Sequence, residues 1–287
     1  MDISKTTLGI DVWEGQLEID EQTILDNGVE FIIIRVNDMN GGHHKDAGFD
    51  KQWAEAENFI RAPYFVYNPW VSGSQNYSYM RSILPPGVRV FMPDIEVKYT
   101  GYSPLIYAQQ VEAFVKLSID AGLKPVNYSG TWFMGYLSYW LSYVDYWWAR
   151  YPTYLYPSTT TRLTWDALKT RLTNVAWYPN CGISGAPCRL WQCTADRYIL
   201  PGTSRPIDVN VFNGTVQEMI EYYGFSDVQI PARLKAQPEP QPEPQPEQPE
   251  QPLEQKLAAL EKRVAALEKL HQNELYPYSV SIPYVSK

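Results

Sequence analysis

Short runs of β-branched and aromatic residues recur along residues 1–234: TLGIDV, EFIIIRV, APYFVYN, VRVFMPDIEV, KPVNYSG, DYWWARY and CRLWQCT. Each has the length of a strand. Between several of them the apolar positions take helical spacing, as in FDKQWAEAENFI and LIYAQQVEAFVKLSIDAG, the latter followed by the helix stop at Gly122. Strand–helix alternation over this length predicts an α/β fold, either a parallel β/α barrel or a doubly wound sheet. Periodicity does not choose between the two.

The alternation stops at residue 235. Residues 235–252 carry AQPEPQPEPQPEQPEQP, which has no core to bury and favours an extended polyproline II linker. At about 3.1 Å per residue such a linker spans roughly 50 Å. Residues 253–272 are periodic again, with Leu253, Leu260 and Leu267 at heptad d positions and Leu257 and Val264 at a. In a parallel pairing, Lys256 and Arg263 at g meet Glu261 and Glu268 at e of the partner helix. This predicts a coiled-coil helix that self-associates through residues 253–270 as a dimer or trimer. The alternative is one amphipathic helix folded back on the barrel. Residues 273–287, NELYPYSVSIPYVSK, read either as an aromatic docking tail or as a disordered end.

Composition narrows the partners. The chain of 287 residues is 45% hydrophobic and 20% charged, with a net charge of -8, so it lacks the basic surface that nucleic acid or an anionic membrane calls for. No apolar run approaches the length of a membrane span. MDISKTTLGID enters a strand directly, without the pattern of a signal peptide. Ten Trp and 22 Tyr exceed the needs of a core and predict rings at a cleft or surface. Cys181, Cys188 and Cys193 match no zinc spacing; a Cys181–Cys188 loop disulfide and three buried thiols both stay open. No glycine-rich phosphate loop follows a strand, so neither metal nor nucleotide nor any other cofactor is expected.

The candidate chemistry is carboxylate chemistry. Asp94 and Glu96 flank Ile95 at the end of an apolar strand, where residues two apart share a face. Two acids held so close supply one ionised and one protonated carboxyl, as glycosidic-bond cleavage requires. A metal site or a solvated strand end is the alternative. Asp11 ends the first strand and Asp208 lies in the last, and in a closed barrel those strands are neighbours. All four acids would then meet at one mouth. Asp38 and Asp145 are read as surface or structural acids, and GGHHKD as a solvated loop.

GIDVWEGQLEID, DIE, VNYSG, WWARY and LWQCTADRYILPGTSRPIDVNVFNG, in that order and spacing, resemble the glycoside hydrolase family 25 muramidases, lysozymes often encoded by phages and their bacterial hosts. The resemblance covers residues 8–214. It implies an irregular, TIM-like β/α barrel that cuts the β-1,4 bond between N-acetylmuramic acid and N-acetylglucosamine in peptidoglycan. On the matching positions Glu96 would be general acid and then base. Asp94 would stabilise the oxocarbenium-like state, as nucleophile or by orienting the substrate's N-acetyl group. Asp11 and Asp208 would hold sugar hydroxyls and tune the pair. Tyr67, Tyr128, Trp148 and Trp191 lie on or near strand ends, where rings can stack on a pyranose, with core packing as the alternative for each; Tyr128 matches a family segment at the mouth. Gln192 is a polar contact at the same end. The family's usual Ser and Gly in the first loop are here Trp13 and Leu17, which bears on which sugar substituents fit.

Two functions follow. One is a muramidase made oligomeric by its stalk, acting on the bacterial wall as a phage-encoded lysin or virion component, with the tail docking to the particle. The other is a non-catalytic carbohydrate-recognition or structural barrel carried by the same stalk. A chitinase-like enzyme is disfavoured because the longer acidic series of that family is absent around Glu96. The three histidines form no Ser-His-Asp set.

Overall fold

Eight strands close on themselves: β1 (Thr7–Val12), β2 (Val29–Arg35), β3 (Ile60–Val66), β4 (Val90–Asp94), β5 (Lys124–Gly130), β6 (Asp145–Ala149), β7 (Leu190–Ile199) and β8 (Ile207–Phe212). The computed structural model describes residues 2–16, 18–39, 42–133, 141–175, 183, 185–235, 257, 261–262 and 264. Strands β1 to β7 are parallel neighbours in chain order. β8 then runs antiparallel between β7 and β1 and shuts the barrel. The closed form decides between the barrel and the doubly wound sheet. The antiparallel return makes it irregular.

The strands are apolar on both faces because both are covered. β1 is buried at every position, and in β2 only Glu30 and Arg35 are not fully buried. Alternate residues divide into two layers. Phe31, Ile33, Ala62, Met92, Val126 and Trp147 fill the barrel, whereas Ile32, Ile34, Phe65, Phe91, Trp148 and Val211 pack under the helices.

The helices include α1 (Glu21–Asp26), α2 (Phe49–Glu55), α3 (Gly73–Ile83), α4 (Pro104–Asp120), α5 (Trp165–Thr173) and α6 (Val216–Tyr223). Their ends follow local chemistry. Ser72 and Gln75 form a capping box on α3, Ser103 caps α4 ahead of Pro104, and Thr215 with Glu218 caps α6. Gly73 lets α3 approach α4: a Cβ there would lie 2.0 Å from the Gln110 carbonyl oxygen. α6 covers the N-terminal end of the barrel with Met219 and Tyr223.

The chain divides into two units, Met1–Lys235 and Ala236–Lys287. The linker to residue 252, the tail from 273, Leu17 and Cys181 lie outside the described residues. Of the predicted coiled coil, Leu257, Glu261, Lys262 and Val264 are described; they are helical and exposed. Cys193 is a buried thiol donating to the Val209 carbonyl at 3.2 Å. No described helix is long and apolar enough to cross a membrane.

Candidate active site

Strand phase places the acids. On β1, Gly9 and Asp11 point inward and Ile10 and Val12 outward, so Asp11 emerges inside the mouth at the C-terminal end. Across the closing seam its Cα partner is Asp208, near the start of antiparallel β8. The reversal of direction carries an early residue of β8 to the late end of β1. Asp94, the last residue of β4, pairs with Val66 on one side and Tyr128 on the other.

The chain leaves the sheet after Asp94. The Ile95 amide donates to the Tyr128 carbonyl at 3.0 Å, and its own carbonyl accepts from Ser129 Oγ at 2.9 Å. Ile95 is thereby pinned with its side chain in the outer layer. Glu96 acts electrostatically on Asp94, Asp11 and Asp208. Strand geometry ends at Asp94, and Glu96 lies beyond it with its charge raising the proton affinity of Asp94.

A hydrogen-bond network centred on Gln192 holds the acid pair opposite Asp94. Its Nε2 donates to Asp11 Oδ2 at 2.9 Å and to Asp208 Oδ2 at 3.3 Å. Its Oε1 accepts from the hydroxyls of Tyr128 at 2.8 Å and Tyr151 at 2.5 Å. Asn210 Nδ2 donates to Asp11 Oδ2 at 2.7 Å and is itself oriented by Trp147 Nε1, which donates to Asn210 Oδ1 at 2.8 Å. The Asp196 amide donates to Asp208 Oδ1 at 2.6 Å. Among the described residues, the buried Asp94 Oδ1 has no hydrogen-bond partner.

Burial sets the proton affinities. Asp11 is pushed up to about 7 by burial, with its amide donors working the other way and Asp196 and Glu96 adding to the rise. Burial raises Asp94 well above the usual carboxylate range; Glu96 and Asp11 reinforce this and Arg35 opposes it. Asp208 is raised by burial, then by Asp11 and Asp196. Burial also raises Glu96, against the indole N–H of Trp132. The mouth thus retains protons that free carboxylates would release.

Three aromatic expectations are corrected. Tyr67, Trp148 and Trp191 are each about 1% exposed and lie between sheet and helices. Tyr67 packs on Tyr107 and Phe114, and Trp191 Nε1 donates to the Arg150 carbonyl at 2.8 Å. They fall on the outward phase of their strands and cannot reach a sugar. The inward ring is Trp147, 4.4 Å from Tyr128 between ring centroids. Asp145 is buried, the structural of its two readings, whereas His43 stacks on Tyr79 with centroids 4.4 Å apart instead of lying in a solvated loop.

Sequence reasoning also passed over Tyr151, Asn210, Asp196, Trp132 and Arg35. Arg35 had a signal, a lone cation ending the apolar run EFIIIRV. Its Nε donates to Asp46 Oδ2 at 2.6 Å, Glu14 lies 3.5 Å from its other end, and the guanidinium sits 5.0 Å from the Trp13 ring. Asp196 has a φ of 44°, a left-handed conformation that Asp tolerates, at an irregular stretch of β7 where alternation fails.

Residues 10–195 match the sequence model described as glycosyl hydrolases family 25. The chain is 26% identical over 228 residues to YegX, an uncharacterized protein of Escherichia coli strain K12, spanning 75% of this chain and 73% of that one. Among solved structures, it is similar to the Clostridium perfringens spore cortex lytic enzyme SleM, with a TM-score of 0.59 at 17% identity over 74% of this chain and 69% of that one. It is also similar to a family 25 glycosyl hydrolase from Bacillus anthracis, with a TM-score of 0.58 at 18% identity over 78% and 95% of the two chains. At these identities the structural likeness establishes a common fold.

Proposed function

The chain belongs to the glycosyl hydrolases family 25, and from that premise we propose that this glycoside hydrolase is a muramidase acting on the β-1,4 bond between N-acetylmuramic acid and N-acetylglucosamine of peptidoglycan. The observation that carries the reading is the convergence of Asp11, Asp94, Glu96 and Asp208 at one mouth with raised proton affinity.

Glu96, protonated, donates to the glycosidic oxygen as the bond from that oxygen to C1 breaks. Asp94 stabilises the positive charge that develops on the sugar, and Glu96 then takes a proton from the incoming water. Asp11 and Asp208, braced by Gln192 and Tyr128, hold sugar hydroxyls, and burial favours the protonated form of Glu96.

The assembly proposed for the enzyme is a self-associated stalk through residues 253–270. Leu257 and Val264, both at heptad a positions, are helical and exposed in the single chain. Multiple heads on one stalk would raise avidity for the wall. Residues 235–252 would be the spacer and 273–287 the docking tail of a lysin or virion component.

The test is release of reducing ends from purified peptidoglycan by wild type and Glu96→Gln. Release by the wild type and its near-complete loss in the folded variant is the expected result. A folded wild type inert on several wall types would overturn the reading and leave a recognition barrel.

A further inference from the structure

The loops that follow β3 and β4 carry aromatic rings that the chemistry proposed above does not use. Val66, the last residue of β3, is the Cα partner of Asp94, and the Tyr67 amide donates to the Asp94 carbonyl at 2.9 Å. Trp70 stands four residues past Val66, and Tyr99 three residues past Glu96. Both therefore lie at the C-terminal end of the parallel strands, where the acids are. The two rings meet edge to face, with centroids 6.2 Å apart and planes at 63°. Tyr102 meets Tyr99 in turn at 4.8 Å and 87°. Tyr99 and Tyr102 are half-buried against the outer core layer, whereas Trp70 is 55% exposed.

Both loops are fixed from within. The Trp70 amide donates to Asn68 Oδ1 at 2.9 Å. The Asn68 amide donates to Asn76 Oδ1 at 2.9 Å, and Asn76 Nδ2 donates back to the Asn68 carbonyl at 2.8 Å. Both asparagines are buried, and Asn76 belongs to α3, so the Trp70 loop is tied to that helix. On the other loop, the hydroxyl of Tyr107 in α4 donates to the Val97 carbonyl at 3.1 Å. Gly101 makes room for the Tyr99 ring: a Cβ there would lie 2.4 Å from it.

An indole that keeps half its surface in water forgoes about 25 cal/mol for each Å² left exposed. A ring held in place before binding loses little freedom when a ligand arrives. Such a ring suits a ligand with one apolar face and polar edges. A pyranose has that form, with C–H groups on a face and hydroxyls around it. The substrate proposed for the mouth is a polymer, so its units continue past the acids and over the loops that border them. We infer that Trp70, backed by Tyr99, stacks on a saccharide unit of the glycan strand beyond those flanking the reacting bond, a distal subsite that favours long strands. The inference takes the identity of the polymer from the muramidase reading and adds where the strand is held.

The test uses strands of alternating N-acetylglucosamine and N-acetylmuramic acid, two and four disaccharides long. Each is titrated by calorimetry into the full chain carrying Glu96→Gln, which binds without turnover. The longer strand should bind about tenfold more tightly than the shorter. Adding Trp70→Ala or Tyr99→Ala should remove that advantage, and adding Trp70→Tyr should keep most of it. Ile119→Ala, at an exposed apolar position near the C-terminal end of α4, should keep all of it. A purely structural role for Trp70 would weaken both lengths alike and overturn the inference. So would equal affinity for the two lengths in the parent, or an advantage indifferent to Trp70→Ala. A change of oligomeric state in sedimentation with the length advantage intact would assign the ring to a protein contact instead. Reducing-end release by the wild type is read separately. An inert wild type whose length advantage still depends on Trp70 would remove the muramidase reading and leave the subsite.

Discussion

Asp11 and Asp208 stand opposite one another across the antiparallel seam of β1 and β8, and one amide group, Nε2 of Gln192, donates to both. Two buried carboxylates on facing strands would repel if both were ionised without such a donor. Replacing Gln192 by Leu removes the donor and also strands two tyrosine hydroxyls. Each buried group left unpaired costs about 1–3 kcal/mol. Gln192→Leu is therefore expected to lose at least about 2 kcal/mol of stability in urea denaturation and most wall-degrading activity. An unchanged denaturation midpoint would show that the network contributes nothing net.

Raised carboxyls have a pH signature. An ordinary Asp titrates near 3.9, whereas Asp11 is held up at about 7. Between about pH 4 and 7 the folded chain keeps a proton that the unfolded chain has released, so this contribution is full at acid pH and is lost as pH rises through the window. Asp94, Glu96 and Asp208 shift the same way, as does Glu21, raised to about 7 by burial; His43, lowered by burial, acts oppositely. The Tm should fall from about pH 5 to about pH 8, with a shallower slope in Asp11→Asn. Parallel slopes would contradict the assignment.

Arg35 forms a partly buried ion pair with Asp46. The side chain of Asp46 is fully buried against it. Arg35→Met should destabilise the protein by about 3–5 kcal/mol, because the buried carboxylate loses its cation and keeps only the amide donors of Glu14 and Gly48. Arg35→Lys should recover part of the loss. Guanidinium denaturation of the three proteins decides it, and equal stabilities would mean that Asp46 finds another partner.

Trp132 bears on Glu96 directly. Its indole N–H favours the ionised carboxyl, so Trp132→Phe should raise the proton affinity of Glu96 and carry the alkaline limb of the activity profile to higher pH. A purely structural role would lower activity at every pH without moving the limb.

Trp148 tests the correction made by strand phase. Trp148→Ala should lose about 3–5 kcal/mol of stability with KM for soluble glycan unchanged. A large rise in KM at intact stability would restore it to the cleft.

Legibility in the sequence followed the range of the interaction. The element order, helix stops such as Gly122 and the composition break at residue 235 are local properties, and a pass along the chain reads them. The acids were readable too, because a carboxylate ending an apolar run is conspicuous. The aromatic residues were not. In DYWWARY both tryptophans are apolar, and nothing local says which one faces the barrel interior.

The sequence by itself determined the strands, the helices and the presence of Asp11, Asp94, Glu96 and Asp208 at their ends. Tertiary structure alone decided that β8 returns antiparallel, that Trp147 and not Trp148 faces inward, and that Gln192 bridges to Asp11, 181 residues away along the chain. Local pattern reflects burial on one side or the other of a strand. Which strands close the ring, and therefore which side chains meet, depends on packing among segments far apart in sequence, and pairing of that range leaves no local trace.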